Sequence, residues 1–139
     1  MPNIHSLVKS AEISIDAATK YTYETNRRGG KWGKLIENLE WIQTLGINTK
    51  ISMVVQKNNY HEMPEFVKLG EKYGFDIYFA KLIDWHTYAD YSERAIHLPQ
   101  HPDHLKLVKI LKNPIFNKPY INLGNLAQIP KFHASNLLV

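Results

Sequence analysis

Cysteine is missing altogether from the 139 residues. Its absence removes disulfides, thiol nucleophiles and any cysteine-ligated metal from the chemistry these residues can perform alone. Long apolar runs are missing too, none approaching the ~20 residues that span a bilayer. Met1 to Ser10 has neither the basic start nor the apolar centre of a secretory signal. A soluble, cytoplasmic protein with no membrane partner is expected. What is present is ordinary for a globular chain, 44% hydrophobic and 22% charged residues. The length implies one domain, able to bury about two-thirds of its unfolded surface. The formal charge is +4, but the 17 basic residues are scattered and only Arg27-Arg28 sits tightly against glycines. No nucleic-acid module is recognisable, so solvated charge is expected rather than a nucleic-acid partner.

Hydrophobic periodicity divides the chain into alternating strands and helices. Glu12 to Asp16 sets Ile13 and Ile15 on one face and Glu12, Ser14 and Asp16 on the other. Thr19 suits a helix N-cap for a segment running to about Arg28, which Gly29-Gly30 breaks. A second helix is expected over about Trp32 to Leu45, with Gly46 ending it. Lys50 to Gln56 reads as a strand and Glu62 to Tyr73 as a helix with Pro64 in its first turn. Asp76 to Leu82 reads as a third strand, and a last helix is expected from His101 through Lys112, with Pro102 as its first helical proline. From Asn113 onward, Pro114, Pro119 and Pro130 suggest an extended tail.

This order implies α/β architecture with a parallel sheet. Strands buried on both faces should be apolar throughout. Here one face stays polar or mixed: Glu12, Ser14 and Asp16, then Lys50, Ser52 and Gln56, then Lys81. Three consecutive βα units forming a partial (β/α) barrel, half of a six-stranded TIM-like barrel, would produce that alternation. The expected division is a barrel portion over residues 1–112 and a carboxy-terminal extension over 113–139.

The segment Ser14-Ile15-Asp16-Ala17-Ala18-Thr19-Lys20, continuing through Tyr23-Glu24 and Arg27-Arg28-Gly29-Gly30 to Trp32, resembles the fourth strand and following helix of radical S-adenosylmethionine enzymes. The likeness continues through Val54-Val55-Gln56-Lys57-Asn58-Asn59-Tyr60 and His61 to Val67. Further on it takes in Lys81-Leu82 with Trp85 and Tyr88, His101-Pro102, and Asn122 to Leu126. It implies units four to six of the barrel, with the CxxxCxxC-bearing amino-terminal half missing from the start of this chain. It also implies S-adenosylmethionine and a [4Fe-4S] cluster as cofactors, the cluster not bindable by this chain alone. Complete enzymes of the family cleave S-adenosylmethionine reductively to a radical that abstracts hydrogen, chemistry that belongs to the cofactors.

By the same resemblance Ser14, Asp16, Arg27, Gln56 and Asn59 are cofactor-binding candidates, with Arg27 suited to pair with a carboxylate. Each also has a plain structural reading. Ser14 and Asp16 would close a turn, Arg27 and Arg28 would offset a helix dipole, and Gln56 to Asn59 would be a βα turn. Lys81, Trp85 and Tyr88 are substrate-side candidates in the loop after the third strand, where aromatic packing is the competing reading. His97, His101 and His104 straddle Pro99 and Pro102, share no helix face and are assigned no metal.

Two functions remain open from sequence. One is the carboxy-terminal portion of a radical S-adenosylmethionine enzyme, active only if a complementing amino-terminal half is supplied. The other is a non-catalytic module that oligomerises through exposed strand edges.

Overall fold

Four isoleucines stand opposite one another across four parallel strands, and the chain folds around that row. Ile13 pairs with Ile51, Ile51 with Ile77, and Ile77 with Ile121. The computed structural model describes residues 10–86 and 88–129. Its strands are β1 (Ser10–Ser14), β2 (Asn48–Val55), β3 (Asp76–Lys81) and β4 (Ile121–Asn122), in the order β1-β2-β3-β4. The helices are α1 (Lys20–Asn26), α2 (Trp32–Thr44), α3 (Met63–Tyr73), the single turn α4 (Tyr91–Arg94) and α5 (His104–Leu111). None of them is long and apolar enough to cross a membrane.

The isoleucine face is the buried one. Ile51, Met53, Val55, Ile77 and Phe79 cluster with Leu35 and Leu39 of α2, Phe66 and Val67 of α3, and Leu107 and Leu111 of α5. Gly70 allows α3 to lie close over the row, because a Cβ there would stand 2.6 Å from Ile77. The other face keeps its polar character: Glu12, Ser14, Asp76 and Asn122 are exposed, and Lys50 reaches toward Glu12. A parallel sheet covered by helices on one side only explains the strand alternation.

Most differences from the sequence expectation concern the carboxy-terminal third. The sheet has four strands, not three, because two residues of the supposed tail pair with β3. A two-residue strand is too short to show periodicity, and Pro119 just before it reads as loop. The same segment buries Phe116 and Leu126 in the core and is fastened to α3 where Lys118 and Tyr120 both donate hydrogen bonds to the Glu71 carboxylate. Those bonds, the Lys118 one foremost, hold the Glu71 carboxyl below its ordinary value. The last helix begins at His104, so Pro102 precedes it in a turn, and Asp103 takes the capping position. Pro130 and the rest of the extension lie outside the described residues. Lys81 also belongs to a different row from the one expected. It stands opposite Val55, in the parity of Phe79, so the open face of β3 is made by Asp76, Tyr78 and Ala80.

Candidate functional site

Strand β1 ends in a sharp turn at Asp16, whose φ of 62° lies in the left-handed region. Among non-glycine residues, aspartate is one of the few found there with any regularity. The turn leaves the Val54 N–H without a β1 carbonyl to pair with, and the Asp16 carboxylate supplies the acceptor at 2.8 Å. Its second oxygen accepts from Arg27 at 3.0 Å. The Asp16 carbonyl accepts from the side-chain amides of Asn26 at 2.9 Å and Asn59 at 3.0 Å. One residue thus ties β1, β2, α1 and the loop after β2 together.

Asn59 completes that knot from inside. It is 0% exposed. Its amide donates to Asp16 and, at 2.9 Å, to the Val54 carbonyl, while its oxygen accepts from the Gln56 N–H at 2.8 Å. Both donors are used, which makes Asn59 a brace for the βα turn rather than a ligand contact. Glu62 is a second brace, which the sequence reading did not identify as part of the site. It is 5% exposed and reaches across to the start of α1. There it accepts from the Ala18 N–H at 2.7 Å, the Thr19 hydroxyl at 3.1 Å and the Thr22 hydroxyl. A buried carboxylate beside a helix N-terminus suits the dipole, and this one also satisfies the N–H just before the cap and two threonine hydroxyls. Only the pairing of acid with threonines at 19 and 22 could have hinted at it, and forty residues of separation hide that link.

The signature-like residues that follow are also mutually engaged. Thr19 caps α1, Tyr23 packs edge-on against Trp32 at 5.7 Å, and Glu24 accepts the Trp32 N–H at 3.0 Å. Arg27 is half-buried with its Nε buried and unbonded. Ser14 lies on the open sheet face, where its hydroxyl accepts from Ser52 at 3.3 Å.

Beyond the carboxyl ends of β1, β2 and β3 these elements enclose an open groove of about 1050 Å³. Asp16, Gln56 and Lys81 line it together with Arg28, Trp85 and Tyr88. Ser14, Arg27 and Asn59 are not among its lining residues. Gln56 is half-buried, and its side-chain amide makes no hydrogen bond among the described residues. The walls are held by backbone and amide contacts: Lys57 N–H donates to the Arg94 carbonyl at 3.0 Å, and Asn58 bonds Asn26 at 2.6 Å.

The three histidines go to separate partners. His101 bonds the Glu93 carbonyl at 2.7 Å and accepts from the Asp103 N–H; His104 bonds the Ile96 carbonyl at 3.0 Å. His97 meets the Tyr91 hydroxyl at 3.3 Å. Because Tyr91 donates its proton to Leu82, its oxygen is left to accept from His97 Nε2. Burial, then the neighbouring Lys81 and His104, keeps the His97 ring neutral, lowering its pKa from 6.5 to about 4. A depressed histidine contributes stability that is complete above the unfolded value and drains away as the pH falls through that window. Between pH 6.5 and 4 the fold is expected to lose about 1–2 kcal/mol on this account, allowing for partial exposure. Urea titrations across that range check it; His97→Gln should flatten the slope, and an unchanged slope would remove His97 from the explanation. No protein-family model matches the chain, and none of the curated proteins or solved structures compared with it is similar to it.

Proposed function

We propose that the chain forms units four to six of a radical S-adenosylmethionine-type partial barrel and supplies one wall of the S-adenosylmethionine cleft. The observation that carries this reading is the polar groove at the carboxyl ends of parallel strands, where α/β folds of this kind bind ligands. The likeness in three successive strand–helix segments gives the groove its chemical identity. The iron–sulfur cluster does not fit these residues. The sequence has no cysteine, and the described residues hold no group of three or more His, Asp or Glu able to bind a metal. Cluster ligands must come from polypeptide outside these 139 residues.

The groove fits the nucleoside part of S-adenosylmethionine better. Gln56, with a free amide facing the cavity, is the residue to hydrogen-bond a ribose hydroxyl or an adenine edge. Ser14 offers a hydroxyl on the open sheet face at the end of β1, outside the groove lining. Asp16, Arg27 and Asn59 hold the turn that presents Gln56. Bound S-adenosylmethionine would supply the radical chemistry once a reduced cluster is provided in trans; this chain's part is to orient the nucleoside.

Calorimetry with S-adenosylmethionine is expected to show binding that Gln56→Ala weakens by about 1 kcal/mol, the worth of one hydrogen bond. Anaerobic reconstitution with iron and sulfide should yield no stable cluster on this chain alone. A stable cluster, or no heat of binding, would contradict the proposal. A second reading, an oligomerising module, is favoured by β1, which pairs only with β2 among the described residues. Its outer edge offers backbone groups to another strand. Sedimentation showing a monomer at high concentration would remove that reading.

A further inference from the structure

Three cations line the groove without an opposite charge to hold them. Arg28, Lys57 and Lys81 all contribute to its surface, and none is in an ion pair among the described residues. The acids nearby are differently placed. Asp16 is bound to Arg27, and Asp90 is gripped by Arg94 through both of its oxygens at 2.9 Å. Among the described residues Glu93 is the one groove carboxylate without such a partner. Arg94 is further fixed over the Tyr88 ring at 4.7 Å, so that wall is ordered before any ligand arrives. Unpaired charge in a concave wall focuses the field toward an anion.

The same groove exposes an indole. Trp85 is 70% exposed and has no aromatic or cationic partner on its face among the described residues. Ile83 beside it is 45% exposed. A large ring left in water inside a cavity is unspent apolar surface, and a flat ring is the natural thing to cover it. A protein partner would be met by a broad apolar patch; here the indole shares its groove with Arg28, Lys57 and Lys81.

We infer that this groove binds a ring-bearing phosphate of the nucleotide class, its base stacked on Trp85 and its phosphates held by Lys57, Lys81 and Arg28. The inference goes beyond the S-adenosylmethionine reading and does not depend on it, since S-adenosylmethionine carries no phosphate and its single carboxylate does not call for three unpaired cations. Stacking on an aromatic side chain and phosphate contact with lysine and arginine are both tolerant of base identity.

The test is a fluorescence titration of the full chain with ADP, with adenosine and inorganic phosphate as the separated halves of the same molecule. ADP is expected to bind saturably and to quench emission that Trp85→Phe removes. Trp85→Ala should weaken ADP roughly tenfold, and Lys57→Glu with Lys81→Glu should weaken it by a further factor of about ten or more while flattening the salt dependence. All three side chains are exposed, so these variants should fold, which circular dichroism would verify. Adenosine binding as tightly as ADP, or charge reversal without effect, would overturn the inference. So would phosphate alone reproducing the ADP affinity with no role for Trp85, or no saturable binding of ADP. A chain that binds S-adenosylmethionine but not ADP would refute this inference alone, and the reverse result would refute only the earlier reading.

Discussion

Glu62→Ala is expected to cost about 3 kcal/mol of stability, because it strands three donors at once. The Ala18 N–H and the Thr19 and Thr22 hydroxyls all end on this carboxylate, and Thr22 is itself buried. The loss should not be spread evenly. α1 has seven residues, too few to be stable by itself, and no acid of its own in the first turn. Without Glu62 the helix should fray, and with it the Arg27 and Asn26 contacts that hold Asp16. Glu62→Gln keeps the volume and one acceptor oxygen and should lose about half as much. Urea denaturation gives the stabilities, and amide exchange in Lys20–Asn26 gives the location. A loss below about 1 kcal/mol would mean that the buried carboxylate is not what holds α1 to the sheet.

Gly124→Ala should cost about 2–4 kcal/mol, from left-handed backbone and from crowding together. Gly124 has a φ of +54°, and a Cβ there would lie 2.6 Å from the Phe79 carbonyl and 3.1 Å from the Tyr78 ring. Backbone in the middle of a paired strand cannot move aside as a side-chain tip can. Gly29→Ala separates the two causes, since Gly29 has a φ of +82° with nothing within 4 Å. It should lose only about 1–2 kcal/mol. Thermal or urea unfolding of both variants makes the comparison. Equal losses would show that the segment after β4 is not seated against β3 as described.

What the sequence made legible was whatever repeats along the chain. The βα order, the buried face of Ile13, Ile51, Met53 and Ile77, and the apolar stripe of α3 follow from two simple periods. Gly46 marks a helix end in the structure as it does in the sequence, at positive φ. The misses share a cause: each is set by a partner far along the chain. Ile121 becomes a strand residue only because Ile77 is beside it. Lys81 looks like a continuation of a polar row, but register with Val55 puts it on the other parity, exposed only because β3 ends there. Asn59 reads as a polar loop residue and proves to be fully buried, its amide matched to groups on Asp16, Val54 and Gln56.

The candidate site shows the same division. Its position, at the ends of β1 and β2, was readable from polar residues closing apolar strands. The allocation of roles within it was not. Asp16 and Arg27 both looked suited to a ligand, yet they are paired with each other, Arg27 keeping a buried unbonded Nε, and the Thr-Tyr-Glu run of α1 is consumed by Glu62, Trp32 and the start of α2. Gln56 is the candidate whose amide is left over, and a surplus of that kind is visible only once every other bond has been placed.

A two-dimensional amide NMR titration with S-adenosylmethionine puts the central claim, ligand binding at the carboxyl ends of the strands, to its most direct test. The shifts should gather in Asp16, Ala17 and Ala18 after β1 and in Gln56, Lys57 and Asn58 after β2, leaving α2 and α5 unmoved. An unchanged spectrum at saturating ligand, or shifts centred on the helix-covered side around Leu39 and Leu107, would contradict it.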